Sequence, residues 1–180
     1  MRHGQAISNV KEIVSCWPEK FKNPLTKLGK EMVKESAEKL KDKNIDLIFA
    51  SPLLRTQQTA EIVEKKLKIK TKVKTDKRLR EQSSGIFNGL SFAKLTSFFG
   101  ELDPKRFRMR PEKGETYIEI KKRMVDFLKD IDKKYEGKNI LIISHELPLL
   151  LLDSAVKGLP NKDFYLKREK LSIAQLRRLN

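Results

Sequence analysis

His3 and His145 are the only imidazoles in this 180-residue chain, and core packing explains neither position. His3 lies between Arg2 and Gly4, and His145 follows the apolar run Ile140–Ile143. Placed in one crevice with Arg2 and Arg55, they define a chemistry through charge. A phosphate monoester carries about two negative charges near neutral pH. Guanidinium groups match its oxygens in bidentate geometry and stay charged throughout. An imidazole, with an ordinary pKa of about 6.5, is available as a neutral nucleophile. Attack on phosphorus would form a phosphohistidine, dividing one hard displacement into two easier steps while the other donors hold the equatorial oxygens. The same two histidines make a poor metal site, because no HxxxH, HExxH or carboxylate spacing accompanies them. Cys16, the single cysteine, excludes an internal disulfide and a multi-cysteine metal centre. A cysteine-dependent phosphatase needs a basic, glycine-rich loop after its thiol, and Trp17-Pro18-Glu19-Lys20-Phe21 is not one.

The crevice requires elements that converge. Thr26 reads as the N-cap of a helix carrying Leu28, Met32, Val33, Ala37 and Leu40. Ile45–Ala50 is a nearly continuous apolar run, as expected of a strand buried on both faces, and Ser51-Pro52 stops it. A second helical pattern runs through Thr59, Ala60, Val63 and Leu67, and Thr71–Val73 reads as the next strand. Arg78–Gly89 reads as an irregular loop, Ser91–Phe99 as a short helix and Asp103–Lys113 as a basic loop. Tyr117, Ile120, Met124, Phe127, Leu128 and Ile131 form an amphipathic helix, Asn139–Ser144 a buried strand, Pro148–Val156 the helix behind it, and Leu171–Leu179 a final edge strand. Strands alternating with helices imply an α/β sandwich with a largely parallel sheet. Ligands of such sheets bind beyond the carboxyl ends of the strands, so residues just past Ala50 and Ser144, including Arg55 and His145, are expected to share one crevice.

The chain weighs 20.9 kDa, with 38% hydrophobic and 36% charged residues, which suits one domain with a real core and excludes a disordered chain. No apolar run approaches the roughly 20 residues of a membrane helix. Met1 leads directly into Arg2, His3 and Gly4 without an apolar signal segment, so the expected location is the cytoplasm. A formal charge of +16 attracts anions, yet the lysines are spread over nearly every segment rather than gathered in a stripe. No nucleic-acid partner is expected, since aromatic reading patterns and zinc fingers are absent.

Several ordered segments resemble the histidine phosphatase superfamily, the phosphoglycerate mutase-like enzymes. Arg2-His3-Gly4 resembles its signature, Pro24-Leu25-Thr26 with Gly29 its helix entry, and Ser51-Pro52-Leu53 through Arg55 to Thr59-Ala60 its second-arginine segment. Leu79-Arg80-Glu81 with Gly85 and Gly89, Gly114-Glu115-Thr116, and Ser144-His145 are similar to its remaining motifs. The resemblance implies a three-layer α/β/α sandwich with a mostly parallel mixed sheet over a single domain, residues 1–180. It implies His3 as the phosphorylated nucleophile. Arg2, Arg55 and His145 would form the phosphate pocket with Asn9 assisting, and Glu81 would be the general acid and base. No cofactor or metal is implied, and the partner would be a small phosphorylated molecule or a phosphopeptide.

Four departures stand out. Ala6 replaces a common Ser or Thr, Gln5 a frequent Glu, and Glu146 a common Gly; the last would raise the pKa of His145 if it turned inward. The family has a buried strand before its signature and only Met1 precedes Arg2 here, so a residue-complete chain is expected to carry a short apolar strand upstream. Hydrolysis is favoured over mutase chemistry because the chain has little spare length for a closing lid. A phosphate-binding module without turnover is the third reading. Substrate choice is expected to lie in Phe87–Phe99 and Asp103–Pro111, where Arg106 and Arg108 could select acidic or multiply phosphorylated molecules.

Overall fold

The computed structural model describes residues 1–69 and 73–179. The helices are α1 (Ile7–Val10), α2 (Lys27–Glu38), α3 (Leu54–Leu67), α4 (Phe92–Phe99), α5 (Tyr117–Lys134), α6 (Glu146–Val156) and α7 (Phe164–Lys167). The strands are β1 (Leu47–Ala50), β2 (Lys74–Thr75) and β3 (Ile140–Ile143). They form a parallel sheet in the order β2-β1-β3, with Leu47 opposite Ile140 and Ala50 opposite Ile143.

Alternation along the strands builds three layers. Leu47, Phe49 and Ile142 face a core made with Ile120, Met124, Phe127 and Ile131 of α5 and Leu149–Leu152 of α6. Ile48, Ala50, Leu141 and Ile143 face the opposite core, with Val33 and Ala37 of α2 and Ala60 and Val63 of α3. Apolar residues at consecutive positions are needed because both faces are covered. Thr26 caps α2 as expected, its Oγ1 accepting from Gly29 N at 2.9 Å. Leu28 leaves the expected apolar stripe and is 59% exposed. Thr116 and Glu119 close a capping box at the start of α5. α6 begins at Glu146, ahead of Pro148, which sits in the first turn where a missing N–H costs nothing.

Two strand expectations differ. Thr71 and Lys72 lie outside the described residues, and the strand beside β1 is Lys74–Thr75. Leu171–Leu179 is not an edge strand. Gln175 N donates to Ser172 O, and Ala174 takes a left-handed φ of 57°, turning the backbone out of an extended run. That turn instead meets the start of the chain, with Arg2 N donating to Gln175 O and Ala174 N to His3 O, each at 3.1 Å. The described strands are all parallel, so the antiparallel component expected of a mixed sheet is not seen among them.

Candidate active site

Three chain segments meet at the carboxyl ends of β1 and β3. Met1–His3 runs beside the end of β3 through a parallel bridge from Arg2 to Ser144, with Ser144 N donating to Met1 O and His3 N to Ser144 O. Ser51 ends β1 and Arg55 lies in the first turn of α3, while His145 is the residue before α6. Gly4 and Gly29 let the Arg2–Gln5 segment lie against the start of α2: a Cβ on Gly29 would come within 2.0 Å of Gln5 O, and one on Gly4 within 2.6 Å of Gly29 O.

Arg55 determines the state of both imidazoles. Its Nε donates to His3 Nε2 and its Nη2 to His145 Nδ1, both at 3.1 Å. A guanidinium only donates, so each of those ring nitrogens must be an acceptor. The proton of His3 therefore lies on Nδ1, 2.7 Å from Gly4 O, and that of His145 on Nε2, 2.9 Å from Ser51 Oγ. Burial, then the Arg55 charge, hold both rings well below the ordinary imidazole value. Neutral His3 thus carries a lone pair on Nε2. The ring centroids are 5.1 Å apart. Arg55 is anchored from behind by Ser15 O at 3.0 Å, Ser15 Oγ at 3.3 Å and Glu19 at 3.3 Å.

Arg2 donates through Nη1 to Leu171 O at 2.7 Å and pairs with Glu146 at 2.6 Å, while its Nε is buried without a hydrogen-bond partner. Glu146 therefore engages Arg2, and His145 is pushed down rather than up. The Glu81 carboxylate lies 4.0 Å from His145 Nδ1 and accepts from Gln82 N at 2.9 Å. Burial raises its pKa, against the pull of Arg55. Asn9 Oδ1 accepts from Ala6 N at 2.9 Å.

Arg2, His3, Asn9, Arg55 and Glu81 line one cavity of about 280 Å³. His145 is fully buried behind it and is linked to the cavity through Arg55. Cys16 is also buried, and burial pushes its thiol up, away from the reactive thiolate. Among the described residues no group of three or more His, Cys, Asp or Glu is placed to hold a metal ion. Among the described residues, no helix is long and apolar enough to cross a membrane.

The profile of the histidine phosphatase superfamily (branch 1) matches residues 1–179. The chain belongs to this superfamily. Phosphoserine phosphatase 1 of Hydrogenobacter thermophilus is 28% identical over 147 residues, covering 78% of this chain and 68% of that protein. A Proteus mirabilis protein named Probable phosphoglycerate mutase GpmB is 31% identical over 164 residues, covering 89% and 74%. In fold, the chain is similar to Bacillus stearothermophilus YhfR, with a TM-score of 0.84, 24% identity and 96% and 85% of the chains covered. The alpha-ribazole phosphatase from Shigella flexneri superposes with a TM-score of 0.80 at 25% identity, covering 97% and 85%.

Sequence reasoning overlooked the superfamily member's supporting groups. Ser15 and Glu19 hold Arg55, and Arg123 ties Glu115 to the Glu81 loop: its Nε donates to Glu115 at 2.9 Å and its Nη2 to Glu81 O at 3.3 Å. Glu115 also accepts from Ser83 N at 2.8 Å. The motif order around Arg55 and Glu81 was visible, but nothing in spacing pairs Ser15 with Arg55 or Arg123 with Glu81. Phe92, Leu95, Thr96, Phe99 and Arg106, within the two segments expected to choose substrate, line the cavity, whereas Arg108 is exposed.

Proposed function

We propose that the protein is a phosphatase that hydrolyses phosphate monoesters through a phosphohistidine on His3, without a metal ion. The observation that carries this reading is the tautomer imposed on His3: Nδ1–H held by Gly4 O, and a lone pair on Nε2 in a cavity wall beside Arg55. The bound phosphoryl group displaces the Arg55–His3 hydrogen bond and takes Arg55, Arg2 and the Asn9 amide as donors. His145 steadies the Arg55 guanidinium, its Nδ1 accepting from Nη2. His3 Nε2 attacks phosphorus as the ester oxygen departs in line, and the acid form of Glu81, which burial favours, gives that oxygen its proton. The Glu81 side chain is a quarter exposed, so water can enter behind the departed alcohol. Glu81 then takes a proton from this water as it attacks the phosphohistidine, releasing inorganic phosphate and restoring His3.

Hydrolysis of an aryl phosphate in the presence of chelator, abolished by His3→Ala, is the expected result, with an acid-labile phosphoryl adduct trapped on His3 during turnover. Activity that survives His3→Ala, or that depends on added metal, refutes the mechanism. The 31% identity to Probable phosphoglycerate mutase GpmB favours a second reading, mutase transfer from the same phosphohistidine. Incubation with 3-phosphoglycerate separates the two, since a mutase yields 2-phosphoglycerate and a phosphatase yields free phosphate.

A further inference from the structure

The cavity wall that carries His3 also carries a second basic cluster with no share in the contacts described above. Arg106 is only 7% exposed. Its Nε donates to Phe99 O at 3.3 Å and its Nη2 to Gly100 O, so the backbone at the end of α4 holds the guanidinium in place. Its plane lies over the rings of Phe99 and Tyr165, at 5.7 and 5.9 Å from their centroids. Arg168 lies over the same Tyr165 ring at 5.0 Å and over Phe164 at 5.4 Å. Both arginines line the cavity.

What separates these two from the other arginines of the site is the lack of a counter-charge. Arg2 pairs with Glu146, Arg55 with Glu19 and Arg123 with Glu115. Among the described residues, no carboxylate pairs with Arg106 or Arg168. Two unneutralised cations sharing one aromatic ring repel each other; Arg106 keeps Nη1 beyond its two backbone contacts, and among the described residues nothing accepts from the Arg168 guanidinium, so donors remain for an oxyanion. Phe92, Leu95 and Leu150 contribute apolar wall to the same cavity.

We infer that Arg106 and Arg168 bind a second oxyanion on the substrate, so that the preferred ester has a leaving group with an apolar or aromatic body and its own anionic group. This rests on the phosphatase reading of the same cavity. It assigns Arg168, from the segment after α7, to substrate binding, and it separates Arg106, which faces the cavity, from its exposed loop neighbour Arg108.

Isothermal titration of the full chain tests it with three probes that cannot be hydrolysed: benzylphosphonate, 4-(phosphonomethyl)benzoate and 1,4-xylylenediphosphonate. At least one of the two doubly anionic probes is expected to bind about tenfold or more tightly than benzylphosphonate, the worth of one good charge-assisted contact. Whichever of the two gains more identifies the second group as carboxylate or phosphate. Arg168→Gln is expected to remove most of that gain and Arg108→Gln to keep it. The ratio of affinities is taken within each variant, so a partly unfolded sample lowers both terms alike. The inference is overturned if neither doubly anionic probe exceeds benzylphosphonate by more than about twofold, if the gain survives Arg168→Gln, or if no probe binds. A gain in binding by a protein that never turns over an aryl phosphate would keep the subsite and reject the hydrolase. Turnover without the gain would do the reverse.

Discussion

Replacing Arg55 with lysine tests the site at the residue where its contacts converge. The guanidinium places Nε on His3 and Nη2 on His145, each at 3.1 Å, while Ser15 and Glu19 hold the other edge. A lysine keeps the charge but has one nitrogen, which cannot reproduce a fork resting on two imidazoles. Two losses follow. Removing a donor aimed at charge that develops in the transition state costs about 2.7–4 kcal/mol, a fall in kcat of roughly 10²–10³. His145 Nδ1 is left buried without its donor, a cost of about 1–3 kcal/mol that lowers Tm by roughly 2–4 °C per kcal/mol in a chain of this size. Steady-state kinetics on an aryl phosphate and a thermal melt of Arg55→Lys measure both. The reasoning requires the activity loss to exceed what the melt explains at the assay temperature. A variant within about threefold of wild-type kcat/KM would show that charge alone suffices and that the fork is irrelevant.

Three further outcomes are expected. His3 and His145 titrate well below 6.5 in the native state, so between those depressed values and about 6.5 the unfolded chain binds protons the native chain does not. Stability is then complete above about pH 6.5 and falls below it by up to about 1.4 kcal/mol per pH unit for each imidazole. Glu81, raised, opposes this, because its contribution is lost as pH climbs through its elevated value. Denaturant melts across pH should show the acid loss, and His3→Gln should make it shallower; an unchanged slope in that variant contradicts the assignment. Glu81→Gln should lower kcat by about 10²–10⁴ on alkyl phosphates, which need a proton on the leaving oxygen, and by much less for phosphohistidine formation from a nitrophenyl ester. Equal losses on the two substrates would remove Glu81 from the acid role. Gly29→Ala places a Cβ 2.0 Å from Gln5 O, and should cost about 1–3 kcal/mol in unfolding free energy and displace His3 enough to lower activity. A neutral melt would show that the Gly4–Gly29 approach can relax.

The long, strongly patterned elements were legible because burial imposes a period. α5 buries Ile120, Met124, Phe127 and Ile131 at helical spacing, and β1 is apolar throughout because both of its faces are covered. The Leu171–Leu179 segment shows where periodicity misleads. Its alternation suits a strand, yet Ala174 in the left-handed region turns the chain toward His3. Short-range spacing does not show which carbonyl a distant segment will reach.

For the site, the pattern of elements put Arg55 and His145 just past strand ends, while Glu81 was singled out only by its motif. The structure brings Arg2, His3, Arg55 and Glu81 to one cavity with His145 behind it. Which nitrogen of each ring holds the proton was not legible in the chain. It depends on Arg55 reaching residues 52 and 90 positions away, and on Gly4 O and Ser51 Oγ taking the other side of each ring. The pairing of Glu146 with Arg2, and the unpaired charges of Arg106 and Arg168 around Tyr165, are likewise tertiary facts. Composition and spacing determine which chemical groups the molecule possesses. Protonation state and charge balance follow from the dielectric and the partners around each group, and those exist only once remote segments have packed.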